Sequence, residues 1–72
     1  MYQIQIETSL RDTLEFSEII SDTPEINAQL KREASNLWTA TVADREEAEE
    51  LQDEIDQMTD GQLEVWVDIQ RV

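Results

Sequence analysis

Residues 37–71, LWTATVADREEAEELQDEIDQMTDGQLEVWVDIQR, read as strand, helix, strand, and the rest of the architecture hangs on that unit. LWTATVA, residues 37–43, holds β-branched and aromatic residues without a charge, which suits a pleated strand. Trp38, Ala40 and Val42 then face one side and Leu37, Thr39 and Thr41 the other. Asp44 with Glu47 three residues on is a capping pair that opens a helix. Its apolar stripe is Ala48, Leu51, Ile55 and Met58, and Gly61 can end it in a left-handed conformation. Beyond it, Leu63, Val65, Val67 and Ile69 alternate with Glu64, Trp66, Asp68 and Gln70 in a half-buried strand. The unit is long enough to be a right-handed parallel crossover.

Working outward, Met1 to Glu7 also alternates, with Tyr2, Ile4 and Ile6 opposed to Gln3, Gln5 and Glu7. Residues 9–21, SLRDTLEFSEIIS, fit two patterns. Ser9 and Asp12 resemble a capping pair, and Leu10, Leu14, Ser17 and Ile20 share a helical face; yet Leu14, Phe16, Glu18 and Ile20 alternate as a strand would. Leu, Arg and Glu favour helix and no Gly or Asn marks a tight hairpin, which tips the reading to helix. Asp22-Thr23-Pro24-Glu25 opens a further helix over 24–35, with Ile26, Leu30, Ala34 and Leu37 at helical spacing and Lys31 and Arg32 near its C-terminal end. The expected fold is one α+β domain spanning 1–72. It is a two-layer sandwich in which a three- or four-stranded mixed sheet carries two to three helices on one face, and a ferredoxin-like arrangement fits that order.

Composition narrows the function classes. With no cysteine and no histidine, disulfides, thiolate chemistry and imidazole metal sites are excluded. No serine has a base to activate it, and one glycine cannot build a phosphate-cradling loop. No catalytic residue, cofactor site or metal site is therefore expected: Asp53, Asp56 and Asp60 fall on a helix, where side chains diverge, whereas calcium needs them to converge. No apolar run reaches the roughly 18–20 residues of a membrane span, and MYQIQIE is unlike a signal peptide, so the expected compartment is the cytoplasm. Eighteen acidic residues against five basic ones disfavour direct contact with nucleic acid or an anionic membrane.

Charge is concentrated in residues 44–60, where nine carboxylates meet the single cation Arg45, a net of −8 within the chain's −13. Glu46, Glu50, Asp53 and Asp60 step along one side of the helix; Glu49, Asp53 and Asp56 form an adjacent line. Neighbours at such spacings sit roughly 5–6 Å apart, and the row extends over roughly 25 Å. That geometry approximates a phosphate backbone. Trp66, flanked by Glu64 and Asp68, falls on the polar side of its strand, where it is either an interface anchor or packed under a loop or Met1. Trp38 belongs with the core.

The run DREEAEELQDEIDQMTD and the segment EVWVD give the chain a class-level likeness: it resembles the small acidic anti-defence proteins of phages, the anti-CRISPR and anti-restriction inhibitors. The resemblance implies a non-catalytic inhibitor that blocks a basic, nucleic-acid-binding surface of a larger protein, acting in a host cytoplasm if phage-encoded. The candidate partner-binding residues are Glu46, Glu49, Glu50, Asp53, Asp56, Asp60, Glu64, Trp66 and Asp68. The alternative is a structural or assembly domain, monomeric or homodimeric, whose acidity serves solubility or a saline cytoplasm.

Overall fold

The computed structural model describes residues 1–59 and 61–72. In chain order the elements are β1 (Tyr2–Thr8), α1 (Thr13–Ser21), α2 (Pro24–Asn27), β2 (Lys31–Ala34), β3 (Leu37–Val42), α3 (Arg45–Thr59) and β4 (Val65–Arg71). The strands form one sheet in the order β2-β3-β1-β4, and every neighbouring pair is antiparallel. The expected mixed sheet is thus antiparallel throughout. β3 and β4 do run the same way, as the 37–71 unit requires, but β1 lies between them, antiparallel to both. Inserting the strand whose Ile4 and Ile6 are wholly buried satisfies both of its edges and puts it at the centre of the sheet. This is the split β-α-β, ferredoxin-like connectivity, with α1 and α2 together making the first crossover and α3 the second.

All three helices lie on one face of the sheet. Phe16 and Ile20 of α1, Ile26 of α2, and Ala48, Leu51 and Ile55 of α3 join Ile4, Ile6, Trp38, Ala40 and Val42 in one core cluster. Each large apolar side chain buried there contributes about 1.5–3 kcal/mol. The Phe16 and Trp38 rings meet edge to face, their centroids 4.9 Å apart. Trp38 is core, as its strand pattern required.

Two local readings are corrected by the packing. The 9–21 segment is helical over Thr13–Ser21, but its buried face is Phe16 and Ile20, while Leu10 and Leu14 are exposed. A turn closed by the Asp12 N–H donating to the Ser9 carbonyl precedes the helix. Leu10 therefore stands outside it, and the i,i+4 pair Phe16–Ile20 takes the sheet.

The helix expected over 24–35 is a single turn, Pro24–Asn27, and residues 31–34 are strand β2. Only Ile26 of its presumed stripe is fully buried. Residues 31–34 gain more from pairing with β3, where Lys31 opposes Thr39 and Arg32 opposes Trp38. The Arg32 guanidinium sits 4.9 Å from the Trp38 ring centroid, and its Nη2 closes the Ser35-Asn36 turn by donating to the Ser35 carbonyl at 2.6 Å. Among the described residues, no helix is long and apolar enough to cross a membrane.

Candidate functional site

α3 begins as its sequence dictates. The Glu47 N–H donates to Asp44 Oδ1 at 2.9 Å, and Glu47 Oε2 accepts the Ala43 N–H at 3.3 Å. The acids of this first turn also complement the positive end of the helix dipole. The helix buries Ala48, Leu51, Ile55 and Thr59, so its remaining faces turn outward by periodicity. Glu46, Glu47, Glu49, Glu50, Asp53, Glu54 and Asp56 are all exposed. Against them stands Arg45, whose Nε lies 3.4 Å from Glu49 Oε1, and no other ion pair touches α3 among the described residues.

Five of the expected partner-binding residues, Glu46, Glu49, Glu50, Asp53 and Asp56, are therefore brought together on one solvent face. Asp60 lies outside the described residues. Two carboxylates that the sequence reading left out belong with the five. Glu47, Glu50 and Glu54 edge a shallow groove of about 270 Å³, completed by Gln29 and Leu51. Glu54 also borders a neighbouring groove of about 260 Å³ with Thr23, Ile26, Gln57 and Met58. The signal for Glu47 and Glu54 was their position beside the apolar stripe, next to Leu51 and Met58, where carboxylate and hydrocarbon lie together.

Glu64, Trp66 and Asp68 are placed elsewhere. Val65, Val67 and Ile69 pack against the core from β4, so Trp66 and Asp68 point away from the helices by alternation. Trp66 is 55% exposed, which excludes the reading in which it completes a core. On this open face Glu7 stands between Leu37 and Trp66, Gln5 between Thr39 and Asp68, and Gln3 between Thr41 and Gln70. Asp68 Oδ2 accepts a hydrogen bond from Gln70 Nε2 at 2.9 Å. The acidic helix and Trp66 thus occupy opposite layers of the sandwich.

Glu64 precedes β4 and is tied to the β1–α1 turn. Its carboxylate lies 3.4 Å from Arg11 Nη2, and its N–H donates to Asp12 Oδ2 at 2.8 Å. That N–H holds the Asp12 carboxyl below the ordinary value of 3.8, against the opposing pull of desolvation, with the Ser9 hydroxyl and Arg11 adding to the lowering. Glu64 is therefore part of a structural knot. Comparison with protein-family models, with curated proteins and with solved structures gives no match, and the functional reading rests on this geometry alone.

Proposed function

We propose that the protein is a non-catalytic binding module whose α3 occupies a basic, nucleic-acid-binding surface of a larger protein and blocks it, in the manner of an anti-CRISPR or anti-restriction inhibitor. The observation that carries this reading is the solvent face of α3, where seven exposed carboxylates, Glu46 to Asp56, face one arginine. Ordinary surface helices interleave charges of both signs, and a fold gains no stability from one that does not. Lys and Arg side chains of the partner lay their stems along the partly exposed Met58 and place their cations among Glu47, Glu50 and Glu54. Long-range attraction speeds the encounter, and the paired charges set its register. Trp66, on the other layer, takes no part in this contact.

The test is affinity capture from host lysate at low and high salt, with double-stranded DNA as competitor. Captured proteins should be nucleic-acid-binding, be displaced by DNA and be lost at high salt. Capture that is equal for wild type and for the triple variant Glu46→Lys, Glu50→Lys, Asp53→Lys would remove α3 from the mechanism.

A further inference from the structure

β4 is an edge strand, and its hydrogen-bonding parity can be read from the ends of its ladder. The Ser9 N–H donates to the Glu64 carbonyl at 3.1 Å and the Val72 N–H to the Met1 carbonyl at 3.0 Å. Hydrogen-bonded pairs alternate along an antiparallel ladder. Glu64, Trp66, Asp68, Gln70 and Val72 therefore turn their backbone groups toward β1, while Val65, Val67, Ile69 and Arg71 turn theirs outward, where no further strand lies among the described residues.

The two edges of the sheet differ. β2 is protected: it has four exposed residues, three of them charged, and a register shift between Arg32 and Ala34. Short, charged and bulged edges resist further pairing. β4 has seven residues, no proline and no register shift, and Val65, Val67 and Ile69 are only half-buried on its core face. Charge identifies the occupant. Within Val65–Arg71 the Asp68 carboxylate is balanced by Arg71, whereas the chain as a whole carries −13. A cationic partner gains nothing at a neutral edge. A second copy of the same acidic chain has nowhere better to approach.

We propose that two copies of the protein pair through β4 across a two-fold axis at Ile69, joining their sheets into one. The axis is chosen by comparing registers. An axis at Asp68 forms the most hydrogen-bonded pairs but sets each Asp68 against its own copy, and like charges directly opposed are destabilising. An axis at Val67 opposes Trp66 to Asp68 and Gln70 to Glu64, leaving the indole beside a carboxylate. An axis at Ile69 pairs Ile69 with its copy and Val67 with Arg71 through backbone hydrogen bonds. It also sets Asp68 against the Gln70 amide and Trp66 against Val72. Trp66 and Val72 are 55% and 67% exposed in the single chain, and this register covers both of them twice. The dimer does not depend on what α3 binds.

Sedimentation of the full chain at about 0.05 M and 0.5 M salt tests the proposal. A dimer that tightens with salt is expected, because two highly acidic copies repel. Val67→Pro removes an outward N–H and no internal ladder bond, a substitution edge strands tolerate; it should yield a folded monomer. Trp66→Ala should weaken the dimer at least about tenfold. Hydrogen exchange on the wild type gives an independent readout: the Val67, Ile69 and Arg71 amides should be protected at high protein concentration and exchange freely on dilution. A chain monomeric up to about 0.5 mM, a dimer unaffected by Trp66→Ala, or edge amides whose exchange ignores concentration would overturn it.

Discussion

Asp12 accepts the backbone N–H of Glu64 at 2.8 Å, a side-chain contact between residues 52 positions apart that ties the start of the first helix to the start of the last strand. This bond favours the ionised carboxylate, so its contribution carries a definite sign. A carboxyl held below its unfolded value adds stability above that value and loses it as pH falls through the folded one. Asp12→Asn should lower the melting temperature at pH 7, and the gap from wild type should close as pH falls below the ordinary value of 3.8. Melts across that range check it. A gap independent of pH would mean that the charge of Asp12 is not what matters.

Salt should stabilise the fold. Eighteen carboxylates face five cations, and the ion pairs among the described residues use three of them, Arg11, Lys31 and Arg45. Raising salt from 0.01 to 0.1 M shortens the Debye length from about 30 to about 10 Å. The melting temperature should rise over that interval. A flat response would show that the carboxylates are compensated locally.

Charge reversal on α3 should separate folding from binding. Glu46, Glu50 and Asp53 are exposed, on the outer side of a helix whose inner side is Ala48, Leu51 and Ile55. The triple lysine variant should melt at or above the wild-type temperature while losing salt-sensitive capture. By contrast, Phe16→Ala should cost roughly 3–5 kcal/mol, most of the stability a domain this small possesses. Circular dichroism melts of the two variants make the comparison.

Gly61 has φ of +71°, and a Cβ built there meets nothing within 4 Å. Any cost of Gly61→Ala is therefore conformational and not steric crowding from neighbours, about 1–2 kcal/mol for an L-residue in the left-handed region. Gly61→Asn should cost less. Urea titrations of the two variants would order them.

Where one element's pattern was sufficient, the sequence was enough. The alternation read over Met1–Glu7 and Leu63–Gln70 appears as strands Tyr2–Thr8 and Val65–Arg71, and the Asp44–Glu47 cap is present. Of the Ala48-Leu51-Ile55-Met58 stripe, the first three are buried and Met58 is partly so. Where two patterns competed, the decision lay in contacts distant in sequence. Lys31–Ala34 is strand because Trp38 and Thr39 lie opposite; the visible hint was Ser35-Asn36, two turn formers between the two runs. Leu14 is exposed because Phe16 found Trp38. Glu46, Glu49, Glu50, Asp53 and Asp56 were legible, since helix periodicity alone turns them outward; Glu47 and Glu54, beside the apolar stripe, were not. The separation of this acidic face from Trp66 follows from alternation, which turns Trp66 away from the helices. Strand order was not legible, because β1 enters between β3 and β4 through contacts distant in sequence.

The one-sided placement of α3 gives the domain a permanent electric dipole roughly normal to the sheet. Its negative end is the helical layer, since α3 alone carries seven exposed carboxylates against Arg45, whereas the open side of the strands carries Glu7, Glu33 and Asp68 against Lys31. In the field of a cationic surface such a body experiences torque before it makes contact. It would arrive helix-first, with the sheet facing back toward solvent, so orientation is selected during approach and not searched for on the surface.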